Sequence, residues 1–160
     1  MSLNESRPRL RGDKRIAYDN LNTKERRILV IGDIHAPFEL DGYLEFCQET
    51  YSKYLCNQVI YIGDIIDNHY TSYHETSSDA MGGLDELEYA IRAVKRWSDA
   101  FPVADVLIGN HDRMVMRKAQ TSDIPSAWIK SYNEVLGTNW NWTERIVYDG
   151  VQFVHGEGGT

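Results

Sequence analysis

Three short apolar runs along the chain end alike. Arg27-Ile28-Leu29-Val30-Ile31-Gly32-Asp33, Gln58-Val59-Ile60-Tyr61-Ile62-Gly63-Asp64 and Asp105-Val106-Leu107-Ile108-Gly109-Asn110 each close on a glycine and an oxygen-bearing side chain. Runs this short and continuously apolar predict strands covered on both faces. Between them the hydrophobic spacing turns helical. Tyr43, Leu44, Cys47, Tyr51 and Leu55 predict a helix over 41–54 with Asp41 as its N-cap. Leu84, Leu87, Ile91, Val94 and Phe101 mark one face of a second helix, with Asp85 in its first turn and Pro102 ending it. A shorter helix is expected from near Asp112 to about Ala119, and another from Ser126 to Leu136 with Gly137 just past its end. Arg145–Tyr148 and Val151–Val154 flank Asp149-Gly150, a hairpin signal. The order β-α-β-α-β-α-α-β-β predicts an α/β fold, a mostly parallel sheet with helices on both faces. Ligands of such sheets bind beyond the carboxyl ends of the strands, where the three Gly-led motifs fall.

A length of 160 residues fits one domain, large enough to bury a core without disulfides or structural zinc. Residues 1–26 show no sustained period and are set apart as a basic arm or the remnant of an upstream segment; 27–160 form the domain. Residues 1–27 hold eight basic and four acidic side chains, so with a chain total of −7 the remainder carries −11. A solvated tail is the first reading of the arm, and contact with nucleic acid is the alternative. The acidic remainder repels phosphates, so a phosphate-handling site here needs added positive charge, which metal ions supply. Cys47 and Cys56 form no zinc-type pair and read as small buried apolar residues. No apolar stretch predicts a signal peptide or a membrane span, and the expected setting is cytoplasmic.

Four motifs carry the candidate chemistry: Gly32-Asp33-Ile34-His35, Gly63-Asp64-Ile65-Ile66-Asp67, Gly109-Asn110-His111-Asp112 and Val154-His155-Gly156. Glycine at a strand end lets the backbone turn sharply close to an ion or phosphate. Asp33 and His35, two residues apart in an extended segment, can point the same way. Asp64 on the next strand can bridge two ions through its two oxygens, Asn110 can offer a carbonyl oxygen and His155 an imidazole. Oxygen with imidazole suits a first-row divalent metal better than calcium.

Over residues 28–156 this ordered set resembles the calcineurin-like metallophosphoesterase superfamily, whose signature is GDxH, GDxxD, GNH[DE], a later His and a terminal GHxH. The resemblance implies metal-dependent hydrolysis of a phosphate mono- or diester by two divalent ions with a bridging hydroxide. Asp33, His35 and Asp64 would hold one ion, and Asp64, Asn110 and His155 the other. His111 would be the catalytic histidine near the leaving oxygen. Asp67 would orient it by hydrogen bond and favour its imidazolium form, and Asp112 would support the ligands from behind. Manganese is the expected metal, with iron, zinc and magnesium as alternatives.

Two departures from the family pattern bear on function. The terminal GHxH is absent from the 160 residues, so the expectation is a domain lacking C-terminal strands and one further histidine per ion, poorly active or inactive in this form. The rival reading is a family remnant that acts as a binding or regulatory module, with nucleic acid as one partner. Asn68 follows Asp67 where the protein serine/threonine phosphatases have Arg-Gly, which argues against that branch. His69 and His74, in the loop after Asp67, are candidate substrate contacts or plain surface residues. Trp128, Trp140, Trp142 and Tyr132 read as core packing rather than a base-stacking surface. Met114 and Met116 read as helix packing.

Overall fold

A computed structural model describes residues 25–71 and 81–156. Four strands, β1 (Ile28–Ile31), β2 (Gln58–Tyr61), β3 (Asp105–Leu107) and β4 (Asn141–Thr143), form a parallel sheet in the order β1-β2-β3-β4. Leu29 pairs with Val59, Ile31 with Tyr61, Tyr61 with Val106 and Val106 with Trp142, so these side chains share one face. Their hydrophobic cluster takes in α1 (Tyr43–Lys53) through Cys47 and α2 (Gly83–Ala100) through Ala90, Ala93, Val94 and Trp97. Ile60 and Leu107, on the opposite face, are equally buried. Burial on both faces is why β2 is apolar from Val59 to Tyr61 instead of alternating, whereas Val30 of β1 is 43% exposed on that second face, so β1 is covered on one face and not on both as its run predicts.

Trp97 is the centre of the core. It is fully buried and meets Tyr43 and Tyr61 edge to face at 5.4 and 6.1 Å. An aromatic of that size contributes about 4–6 kcal/mol through area removed from water. Cys47 is buried beside it, and burial pushes its thiol up to about 11, consistent with a small apolar core residue.

Gly137 ends α4 (Tyr132–Leu136) in the left-handed region at φ 68°. Asp149 and Gly150, at φ 52° and 82°, give the turn of the antiparallel hairpin β5 (Arg145–Tyr148) and β6 (Val151–Val154). The hairpin is tied to the parallel sheet by Tyr148, whose hydroxyl donates to Asp105 Oδ2 at 2.8 Å. Arg26 lies over the Tyr148 ring at 4.2 Å and pairs with Asp149 at 3.2 Å.

Some expectations need correction. Asp41 is not the N-cap of α1. Gly42 is, at φ 78°, with no side-chain cap, because a tight turn closed by Tyr43 N–H on the Leu40 carbonyl (3.1 Å) takes over that role. The expected helix over Ser126–Leu136 is two pieces, a 3₁₀ turn at Ser126–Trp128 and α4, separated by Ile129 in extended conformation. Ser131 and Glu134 form a capping box that starts α4 afresh. The helix expected from Asp112 starts two residues later as α3 (Met114–Thr121). Strand β4 was not foreseen. Trp140 is buried, its indole N–H donating to the Phe101 carbonyl at 2.8 Å, and Trp142 stacks on Tyr132 at 4.3 Å. Trp128, by contrast, is 81% exposed and packs in no core. Among the described residues no helix is long and apolar enough to cross a membrane.

Candidate metal centre

The loops after β1 and β2 are joined by backbone hydrogen bonds. Ile34 and His35 N–H both donate to the Asp64 carbonyl, at 3.1 and 2.9 Å. Ala36 N–H donates to Ile65 O at 2.9 Å, and Asp67 N–H returns to Ala36 O at 3.0 Å. Asp112 makes a second joint. It is 1% exposed; its Oδ1 accepts from Ile65 and Ile66 N–H at 3.0 and 3.3 Å, and its Oδ2 accepts from Gly109 N–H at 2.8 Å. Burial pushes its carboxyl up to about 6, against the pull of those donors.

The glycines matter at two places. A Cβ on Gly109 would collide with the backbone nitrogen and carboxylate of Asp64. Gly63 has φ 105°, and a Cβ there would meet the His155 ring and, at 2.9 Å, the Gly109 backbone. His35 and Asp64 themselves lie at φ 49° and 50°, which costs about 1–2 kcal/mol per residue. The joints between the loops hold that conformation.

The side chains brought together fall into two groups able to hold a metal ion, Asp33 with Asp64 and His155, and His35 with Asp67 and His111. In each group the ligand atoms lie within 4.8 Å of one another. Every imidazole is fixed through Nδ1 by an oxygen acceptor. His155 Nδ1 meets the Ile62 carbonyl at 2.7 Å, His35 Nδ1 the Asp67 carboxylate at 2.9 Å, and His111 Nδ1 the Asp67 carbonyl at 2.6 Å. With Nδ1 donating to that anchor, each ring turns Nε2 away from it. His155 Nε2 then faces two more electron-rich atoms, Asn110 Oδ1 at 2.8 Å and Asp64 Oδ2 at 3.5 Å. His35 Nε2 faces the same Asp64 oxygen at 3.8 Å. A divalent cation placed among these nitrogen and oxygen atoms would take them together as ligands. Two ligand atoms bonded at roughly 2.1 Å in tetrahedral geometry are about 3.4 Å apart, so the residues present fit a divalent metal.

The grouping differs from the expected one: Asp33 and Asp64 lie with His155, beside Asn110, whereas His35 falls with Asp67 and His111 and not with Asp33, because its Nδ1 is bonded to the Asp67 carboxylate. Asp64 differs in detail from its expected use. Its Oδ1 accepts the His111 N–H at 2.9 Å, so Oδ2 is the oxygen that faces both imidazoles. Asp67 reaches His111 through its main-chain carbonyl, while its carboxylate lies 3.7 Å from that ring and bonds His35 instead. The His35 and His111 rings meet edge to face at 4.7 Å. His69 is exposed and belongs to neither group, and His74 lies outside the described residues.

Three supporting residues were not foreseen. Asn68, at φ 52°, donates its amide to the His111 carbonyl at 3.0 Å; asparagine tolerates that region, and its place beside Asp67 was the available signal. The Tyr43 hydroxyl accepts from Gly32 N–H at 3.1 Å and donates to Gly32 O at 3.3 Å, bracing the residue before Asp33. Glu86, 3% exposed, accepts from His69 N–H at 2.7 Å. Nothing in the one-dimensional pattern marks the last two.

Comparison with curated proteins and with solved structures returns no match. A model of the calcineurin-like phosphoesterase family matches residues 26–158, the stretch that holds every ligand above, and the chain belongs to that family.

Proposed function

We propose that the chain hydrolyses phosphate mono- or diesters at a dinuclear centre held by Asp33, His35, Asp64, Asn110 and His155. One observation carries the reading: two imidazoles, each anchored through Nδ1, direct Nε2 at a single carboxylate oxygen of Asp64, at 3.8 and 3.5 Å. Divalent cations bound there would act as Lewis acids on a phosphoryl oxygen and turn water into the attacking hydroxide. Without their charge, Asp33 and Asp64 would repel the substrate.

The protein's own part is positioning and proton transfer. The Asp67 carbonyl fixes the proton of His111 on Nδ1, leaving Nε2 to exchange a proton with the leaving oxygen. Asn68 holds the backbone of the same histidine. Asp33 is exposed, so the site is open to substrate on that side. Manganese is the proposed metal, since mixed nitrogen and oxygen donors on a water-open site suit it.

The test is hydrolysis of p-nitrophenyl phosphate and bis(p-nitrophenyl) phosphate with added Mn²⁺, with Zn²⁺ or Mg²⁺, and with EDTA. Metal-dependent turnover is expected, abolished by Asp64→Ala. His111→Ala should lower kcat by about 10²–10⁴ while metal binding by calorimetry persists. Turnover that ignores EDTA, or a wild-type protein that binds no divalent ion, would overturn the proposal.

A further inference from the structure

Glu86 is a buried carboxylate that none of the chemistry above uses. It sits in the first turn of α2, 3% exposed, and burial raises its pKa above the ordinary glutamate range. Burying a carboxylate is costly unless it is hydrogen bonded. Its hydrogen-bond partner lies on a neighbouring turn, the 3₁₀ segment His69–Thr71: the His69 N–H, at 2.7 Å. A second contact joins the same two elements. The Tyr70 ring lies against Gly83 so closely that a Cβ there would come within 2.8 Å of it.

That turn begins immediately after the residues that orient the histidines. Asp67 gives its carboxylate to His35 and its carbonyl to His111. Asn68 gives its amide to the His111 carbonyl, and its own carbonyl is bonded by Thr71 N–H at 2.9 Å and Thr71 hydroxyl at 2.7 Å. Asn68 is in the left-handed region, a conformation that must be held from outside. Helix α2 supplies a firm hold, because Ala90, Ala93, Val94 and Trp97 are all buried in the core.

We infer that Glu86 is a positioning residue for the Asp67–His111 pair, clamping the His69–Thr71 turn to α2 so that the Asp67 carbonyl meets His111 Nδ1. A carboxylate suits the task because its charge strengthens the hydrogen bond from the His69 N–H. The inference rests on the hydrolytic reading only for its kinetic consequence; the effect on His111 stands without it.

Glu86→Ala, Glu86→Gln and, from the other side of the joint, Gly83→Ala are compared in the full chain. The readouts are kcat and KM with Mn²⁺ and p-nitrophenyl phosphate esters, and imidazole ¹⁵N spectra of the metal-free protein. Wild type should show His111 as one tautomer with its proton on Nδ1. Glu86→Ala should lower kcat by roughly 10–100-fold with KM little changed, the usual range for losing a supporting contact, and should mix the His111 tautomers. Gly83→Ala should do the same in part, and Glu86→Gln, which keeps an acceptor, should recover most of both signals. An unchanged His111 spectrum and kcat in a folded Glu86→Ala protein would overturn the inference, as would Glu86→Gln matching Glu86→Ala while His111 stays ordered. Tautomer mixing in Glu86→Ala alongside a wild type that hydrolyses nothing would support the clamp and overturn the hydrolytic reading.

Discussion

Replacing Asp112 by asparagine tests the joint between the second and third loops. Asp112 uses both oxygens as acceptors, one for Ile65 and Ile66 N–H and one for Gly109 N–H. Asparagine has one oxygen. In either orientation its amide NH₂ faces a backbone N–H, and a buried donor left unsatisfied costs about 1–3 kcal/mol. A second effect opposes this and depends on pH. Burial raises the Asp112 carboxyl from 3.8 to about 6, equivalent to about 3 kcal/mol. The folded state therefore binds more protons than the unfolded state across that window. The contribution is fully present below pH 3.8 and is lost as pH rises to about 6. Asparagine does not titrate and loses nothing there. Urea unfolding of both proteins, metal-free, should show the two close together near pH 4, where the protonated carboxyl, like the amide, turns one donor toward a backbone N–H, and the wild type behind by up to about 3 kcal/mol near pH 7.5. A wild-type lead that grows with pH would refute the reasoning, since it would mean the three N–H donors outweigh desolvation and hold the carboxyl low.

Three further outcomes follow from the geometry. His155→Ala removes the imidazole seated between Ile62 O and Asn110, and Mn²⁺ affinity by calorimetry should fall by about 10-fold or more. Gly109→Ala forces a methyl into Asp64 and should lower stability by about 2 kcal/mol or more in thermal melts, with loss of metal binding; an unperturbed protein would mean the loops can part freely. Tyr43→Phe removes the hydroxyl that braces Gly32, and should cost about 1 kcal/mol in denaturant unfolding.

What the chain made legible was whatever repeats locally. A glycine and a ligand residue behind an apolar run can be read in one dimension, and Asp33, Asp64 and Asn110 fall where that pattern puts them. Partners set by chain reversals cannot. Which oxygen of Asp67 reaches which histidine depends on the left-handed turn at Asn68, and sequence spacing does not encode it. Strand β4 was hidden because Asn141 has low strand propensity and its place comes from pairing with Asp105 and Val106. The break before α4 was written in the chain as Ser131 and Glu134, a capping box that the helical period overrode. Glu86 reads in sequence as an ordinary acid complementing a helix start, and only packing turns it inward.

The arrangement also shows what holds the candidate ligands in place. Asp33, Asp64 and Asp67 converge with three imidazoles, of which His35 closes on the Asp67 carboxylate through Nδ1 while His155 and His111 give Nδ1 to main-chain carbonyls. The ligands are held by backbone donors one step behind them: Ile34 and His35 N–H on the Asp64 carbonyl, His111 N–H on Asp64 Oδ1, and the Asp112 joint. Those bonds are neutral or anion-stabilising, and none needs a cation. In domains that fold only around a metal, binding energy must also order the chain. Here the sheet and its loop joints supply that ordering, so a cation at the proposed centre is expected to bind without refolding the chain: circular dichroism with Mn²⁺ and with EDTA should show the same folded content, and unfolding on chelation would refute this.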